Sequence, residues 1–401
     1  MKGDFSRLTF RRDKHYSSVR MQQGRVLLDA EWNEQADIQA QRDQATTRDV
    51  IGPSGAPASP LGQFRNFQVR IAGSAFEIAD GQLYVDGILC EATEIVPYDA
   101  QPDYPGAPAL VSGQAYHAYL DVWERHQTAL EQSGDDQPQI REVALGGPDT
   151  TTRLKTIWQV KAQALANAAA TCADFGPDWI PDGVAGAGRL RADAAPAQPA
   201  ANDCLVPPGG GYRRLENQLY RVEIHRGGGA AEATFKWSRD NGSVVFPLAV
   251  PIRQTDTQLS LLHLGRDERF GLRPGDWVEL VNDDSSLNER FDASPPPLHQ
   301  VVAVDPLERT ATLAGAVGVN MDLATRPLLR RWDQRAGEDS EGGLTLSAGA
   351  AQMGRDSKGN MAWLPLEDGI EVQFSAGEYR TGDYWLIPAR RAAGLAGRRR
   401  Q

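Results

Sequence analysis

The sequence predicts a mainly β fold with minor α+β character, arranged as several sandwich- or barrel-like lobes behind an N-terminal helical arm. Three observations carry this. The chain holds 40 Gly and 25 Pro in 401 residues, a density of turn formers that suits short strands better than helix bundles. Asp80-Gly81, Asp86-Gly87, Asn241-Gly242 and Asp368-Gly369 punctuate apolar runs, and such pairs tolerate the positive φ of tight turns. One long stretch near the N-terminus reads as helix, whereas most of the remainder alternates or breaks every few residues.

The first element, residues 1–60, is the arm. Val26, Leu27 and Leu28 lead through Asp29 into a polar helix predicted from about Ala30 to Ile51. Asp29 is a natural N-cap, Glu31 and Glu34 suit the positive end of the helix dipole, and Gly52-Pro53 supplies a stop. The helix carries Gln35, Gln39, Gln41 and Gln44, with Trp32, Ala36 and Ala40 as its apolar seam. So small a seam anchors weakly on one domain, which makes the segment a fitting for a partner. The residues expected to form that interface are Gln23, Gly24, Arg25, Asp29, Trp32, Asn33, Glu34 and Gln35.

Residues 61–254 read as a β domain. FEIADGQLYVDGILCEA is a meander, and 117–126 and 153–161 are strands flanking a loop at Gly146-Gly147-Pro148. Leu154, Thr156, Trp158 and Val160 fall on one face of the second strand. Composition shifts to Ala, Pro and Gly at 162–211, an irregular excursion. In ENQLYRVEIH, Tyr220, Val222 and Ile224 alternate with Arg221, Glu223 and His225, and a hairpin tipped by Asn241-Gly242 follows. Residues 255–329 have the cadence of a small barrel-like module, 330–389 supply further strands, and 390–401 form a disordered Arg-rich tail. That tail holds five Arg and no acid, so the net charge of −11 would be −16 without it.

Composition excludes several functions. A pI near 5.1 gives no basic field for nucleic acid or anionic lipid. No apolar run spans a bilayer, and the N-terminus lacks the apolar core of an export signal. Cys90, Cys172 and Cys204 show neither CxxC nor zinc spacing and are expected as reduced thiols, a Cys172–Cys204 bridge being the alternative. The best enzyme-like set is Glu216, Glu223 and Asp240 near Trp237, a conceivable glycosidase pair beside an aromatic platform. Against it, Glu223 sits at a solvent-facing position of an alternating strand and Asp240 opens a turn. Asn282, Asp283 and Asp284 lack the oxygen spacing of a calcium loop. No catalytic residue, cofactor or metal is expected.

Long motifs suggest a family. MKGDFSRLTFRRDKHYSSVRMQQGRVLLDAEWNEQ, VDGILCE, YLDVWERH, ENQLYRVEIH, TFKWSRDNGSV, RPGDWVEL and YRTGDYWLIPAR together resemble a large bacterial family of phage-tail-like proteins bearing a domain of unknown function. Members tend to be encoded with contractile injection systems. The 23–39 stretch is also similar to the N-terminal attachment segment of some tail-fibre proteins. The resemblance implies a baseplate, fibre-like or adaptor component, assembled in the cytoplasm and then particle-associated. Its partners would be other tail proteins and copies of itself. It also implies that ordered sequence continues past the LIPAR position, so the Arg-rich end reads as a truncation. The alternative is a protein that binds or cleaves surface glycans.

Overall fold

The computed structural model describes residues 1–73, 75–131, 140–145, 149–175, 186–195, 211–288, 295–337, 343–355 and 358–391. Cys204, the Gly146-Gly147-Pro148 loop, much of the 162–211 excursion and the tail from 392 lie outside these residues. Among the described residues strand amounts to 38% against 13% helix, so the fold is mainly β, with the N-terminal helix present. The chain forms two compact units, residues 8–184 and residues 185–401, the second also including Lys2–Arg7.

The first unit opens with α1, Asp29–Ile51. Asp29 is its first helical residue rather than its cap. Leu28 occupies the cap position without a side-chain acceptor, and the Glu31 carboxylate accepts the Leu28 N–H at 3.3 Å. The stop is as the sequence reads: Gly52 has φ 97° and its N–H donates to the Arg48 carbonyl at 2.8 Å. The buried stripe is not the expected seam. Ala30 and Ile38 are each 1% exposed, while Trp32, Ala36 and Ala40 face outward.

Six strands of this unit matter: β1 Val69–Ala72, β2 Ala75–Ile78, β3 Gly81–Val85, β4 Ile88–Ala92, β5 Tyr116–Gln127 and β6 Arg153–Ala164. β3 and β4 join through Asp86 (φ 49°) and Gly87 (φ 84°), the tight turn the sequence predicts. Gly87 has a second reason to be glycine, because a Cβ there would stand 2.1 Å from the Gln44 carbonyl oxygen of α1. The helix is seated directly on that turn, with Arg48 3.5 Å from Asp86.

β5 and β6 pair along their full length, from Tyr116 opposite Ala164 to Gln127 opposite Arg153. The core gathers Phe67, Ile78, Cys90, Ala92 and Val160. Trp158 packs edge-on to Phe67 and donates its indole N–H to the Glu91 carbonyl at 2.9 Å. One-sided alternation fails in β6: Ile157 and Gln159 on the opposite face are fully buried, Gln159 donating to the Asp103 carbonyl at 2.6 Å.

The second unit contains a sandwich and a barrel. Its strands are β7 Leu190–Ala194, β8 Gln218–Arg226, β9 Thr234–Ser238, β10 Val245–Pro247, β11 Gln258–Ser260, β12 Trp277–Val281, β13 Leu298–Asp305 and β14 Thr310–Leu313. They continue with β15 Leu328–Trp332, β16 Leu346–Ser347, β17 Ala350–Gln352, β18 Leu364–Glu367, β19 Ile370–Phe374 and β20 Tyr384–Ala389. One sheet runs β16-β17-β9-β8-β20, and a smaller one runs β18-β19-β7. Tyr220, Val222, Ile224, Phe235 and Trp237 of the first sheet share one core with Leu190, Val372 and Phe374 of the second.

The barrel orders its strands β10-β15-β12-β13-β14-β11. Its ends close on each other, since Ala249 donates to the Ser260 carbonyl and Leu262 to that of Pro247, both at 2.9 Å. Phe246, Leu259, Val278, Leu280, Val301, Leu313 and Leu329 fill it. Asn241 (φ 53°) and Gly242 (φ 66°) make a turn, but not a hairpin tip. The turn carries the chain from β9 of the sandwich to β10 of the barrel, which pair with different strands.

Gly87→Ala is expected to destabilise the first unit by about 2–4 kcal/mol, combining left-handed strain with the clash on α1. Urea unfolding checks this; a midpoint equal to wild type would show that the helix is not seated as described.

Candidate functional site

The densest chemistry in the molecule is assembled around β8. Eight of its nine residues, Gln218 to His225, are buried. Tyr220, Val222 and Ile224 enter the sandwich core, and alternation sends Arg221, Glu223 and His225 to the other face. The sequence placed Glu223 in solvent, but that face is covered too and Glu223 is 1% exposed. The barrel strands supply what lies against it.

Lys236 of β9 sits directly opposite Glu223 in the ladder and lies 3.3 Å from it. Its ammonium also reaches Glu279 of β12 at 2.6 Å and lies 4.5 Å from the centre of the Trp332 ring. Trp332 donates its indole N–H to Glu279 at 2.9 Å. Arg221 holds Glu223 at 2.5 Å and stacks 3.7 Å from the Tyr384 ring. Lys2 reaches Glu223 from the N-terminal segment at 3.1 Å. Burial pushes the Glu223 carboxyl up, but Lys2, Arg221 and Lys236 overcome it and hold it well below the usual carboxylate range. Glu279 is likewise lowered, with Lys236 and Lys2 outweighing its burial. His225 lies below the ordinary histidine value: burial, reinforced by Lys236, lowers it to about 4.

The run Lys236 to Gly242 continues this pattern, each polar residue taking a different partner. Arg239 grips Glu367 with two bonds, at 2.9 and 2.8 Å, and its backbone N–H donates to Asp333 at 2.9 Å. Asp240 lies 3.2 Å from Arg269 and 3.8 Å from Arg331. Burial, with Asp333 nearby, raises the Asp240 carboxyl despite those arginines. Asn241 donates to the Gly3 carbonyl at 2.9 Å. Trp237 is 1% exposed and tilted against Tyr220, so it offers no ring face to a sugar. Glu216 is exposed beside Arg214 and Arg269. The glycosidase-like set is therefore one exposed carboxylate and two interior ones engaged by cations. The cavity beside Lys236 and Glu279 has a volume of about 30 Å³. A ligand pocket needs roughly ten times more.

Asn282 caps α2, Asp283–Asn288, Asp283 pairs with a cation and Asp284 is exposed. The Asn282 side chain accepts the Ser285 N–H at 2.9 Å, the Ser285 hydroxyl accepts the Asn282 N–H at 3.0 Å, and Asp283 pairs with Arg326. Among the described residues no group of three or more His, Cys, Asp or Glu side chains could hold a metal ion. Cys90 is buried and Cys172 exposed, each a free thiol.

The arm residues are placed as follows. Gln23, Gly24, Arg25 and Asp29 are exposed, and Trp32 is 67% exposed. Asn33 is half-buried. Glu34 and Gln35 are engaged within the unit, accepting from the Thr9 hydroxyl at 2.6 Å and the Val19 N–H at 2.7 Å. Leu27 and Val26 just before the helix are 57% and 81% exposed. The structure thus divides the set into an outward face and an inward one.

Fold and chemistry define a mainly β protein whose sandwich and barrel are joined by an interior charge network. The chain belongs to the family of unknown function DUF6519, whose model matches residues 1–175 and 184–397. No curated protein matches it. No solved structure matches it either. No helix among the described residues is long and apolar enough to cross a membrane.

Two outcomes follow. Glu223→Ala would leave Lys2, Arg221 and Lys236 with Glu279 as their one remaining carboxylate in the network, and is expected to cost about 3–5 kcal/mol. Urea titration measures it, and a loss under about 1 kcal/mol would contradict the network's weight. His225 stays neutral when folded, whereas the unfolded chain takes a proton below about pH 6.5. Stability is therefore intact above that pH and declines as pH falls toward about 4. Between pH 7 and 5 the wild type should lose about 2 kcal/mol more than His225→Gln, by paired denaturation curves at both pH values.

Proposed function

We propose that this chain is a structural component of a phage-tail-like contractile injection particle, in a baseplate, fibre-like or adaptor role, and that it works by assembly rather than by catalysis. The observation that carries the reading is the outward face of the arm. Val26 (81% exposed), Leu27 (57%), Leu28 (41%) and Trp32 (67%) follow one another on the approach to α1 and its first turn. The helix itself is fixed to its own unit by Ala30, Ile38 and the Gly87 turn, so this apolar cluster is held out on a rigid support. Large apolar side chains left exposed close together in the chain suit a contact site. The partners that fit are other particle proteins and further copies of this chain.

Glycan recognition is the second reading, and it moves from Trp237 to a groove of about 540 Å³ in the second unit, where Trp277, Gln300 and Arg335 meet. An indole edge with an amide and a guanidinium suits a sugar bearing a carboxylate.

Removing residues 1–51 would strip Ala30 and Ile38 from the first unit's own core, so a point change is the better test. Trp32→Ala is expected to leave the melting temperature within about 2 °C, because the ring is mostly in water. The same change should weaken self-association or incorporation into particles at least about fivefold, as aromatic anchors dominate such contacts. Sedimentation and particle composition read both quantities. Normal incorporation of the variant would overturn the reading.

A further inference from the structure

The segment Lys2–Arg7 belongs to the second unit, whereas its continuation from Leu8 belongs to the first. The change of anchor takes only a few residues. Ser6 still offers its carbonyl to the Arg390 guanidinium of the second unit. Thr9 already donates its hydroxyl to Glu34 at 2.6 Å and to the Ala30 carbonyl at 3.3 Å, both on α1. No regular secondary structure occupies residues 1–11.

The segment joins no strand ladder, and side chains of the second unit are among its contacts. Lys2 reaches Glu223 at 3.1 Å and lies 5.9 Å from the centre of the Trp332 ring. Asn241 donates to Gly3 at 2.9 Å, and Arg390 donates to Ser6. The groups that hold the segment come from β8, the 241–242 turn, β15 and the residue after β20, all of the second unit.

Charge balance says how firmly the segment is tied. With Lys2 in place, the central network among the described residues holds three cations (Lys2, Arg221, Lys236) and two carboxylates (Glu223, Glu279). Without it, two cations face two carboxylates, and each carboxylate keeps a cation within 3.3 Å. Removing one partner of a buried pair is ruinous when it strands a charge, and here it strands none. Lys2 therefore behaves as a ligand of a site that remains balanced when it leaves.

We propose that this site takes the Lys2–Arg7 segment of a second copy of the chain, so that neighbouring copies exchange N-termini and the partner copy supplies the ammonium that meets Glu223. The inference rests on the assembly reading above. An exchanged segment makes the same contacts it makes at home, so their free energy cancels between the closed and exchanged forms. The balance is then decided by any surface buried in addition. The exposed side chains of Tyr16, Met21, Val26, Leu27 and Trp32, only a few residues further along the same arm, provide that surface.

The test uses full-length chains in which Cys172 and Cys204 are replaced by Ser. One chain carries Gly3→Cys and the other Asn241→Cys. The two are mixed and treated with a short thiol-to-thiol cross-linker. Exchange predicts a covalent dimer that needs both chains, at several times the yield of a mixture with the second cysteine moved to exposed Val250. Equal yields from the two mixtures would overturn the proposal. A parallel sedimentation series on Lys2→Ala, otherwise wild type, should keep the dissociation constant within about twofold, because the Lys2 contact is lost from the closed and the exchanged form alike; self-association weakened about tenfold would mark a contact made only between copies and overturn the proposal as well. The two readings fail separately. A Trp32→Ala defect without cross-linking sinks exchange and leaves the arm's outward face standing, whereas cross-linking with normal Trp32→Ala assembly does the reverse.

Discussion

The second unit depends on one arrangement, the interior carboxylate of Glu223 held by Arg221, Lys236 and Lys2. A charge this deep is tolerable only when cations and hydrogen bonds replace the water it lost. Supplying them fixes several things at once. Lys236 must sit opposite Glu223, which sets the register of β8 on β9. Glu279 must reach Lys236, which sets the barrel against the sandwich. Apolar packing alone would accept many sliding arrangements of two β lobes, and a charge network accepts few. The network adds specificity where a hydrophobic seam would add mainly stability.

The turn at Asn241-Gly242 shows how local and distant constraints meet. Its left-handed backbone is what the residue pair encodes, and the same pair ends the run Lys236 to Gly242 that feeds the network. Arg239 and Asp240 are steered to opposite sets of partners, Glu367 and Asp333 for one, Arg269 and Arg331 for the other. Any insertion in this run would misplace several ion pairs together. That accounts for the density of charged residues in FKWSRDNG.

How much of this was legible in the sequence follows from the range of each constraint. The mainly β fold, the helix stop at Gly52 and the turns at Asp86-Gly87, Asn241-Gly242 and Asp368-Gly369 were readable, because each is set by residues adjacent in the chain. The burial of Arg221, Glu223 and His225 was not. Alternation of polar and apolar residues normally marks a strand with one wet face, and nothing nearby announces that Glu279 and Lys2 will cover it. Their separations from Lys236 and Glu223 are 43 and 221 positions. A usable signal existed in the density of charge on two strands, ENQLYRVEIH and TFKWSRDNG, that are otherwise strongly apolar. The helix seam failed for a related reason. Trp32, Ala36 and Ala40 form the expected stripe, yet Ala30 and Ile38 are the side chains turned to the protein, on a face that the chain upstream of the helix also meets, Thr9 donating to the Ala30 carbonyl at 3.3 Å.

That reversal bears on function. Had Trp32 been the inward anchor, the arm would be an ordinary packed helix with a polar exterior. Instead the molecule uses Ala30 and Ile38 to hold the helix and leaves its largest apolar side chain in water, next to Val26, Leu27 and Leu28. Full burial of one such side chain is worth about 1.5–3 kcal/mol, so four together form a substantial unmet contact. Upstream on the same arm, Lys2 is engaged at a site whose charges balance without it. In the assembly proposed above, the exposed apolar side chains and the Lys2 segment, tens of residues apart in the chain, would each join one copy to the next.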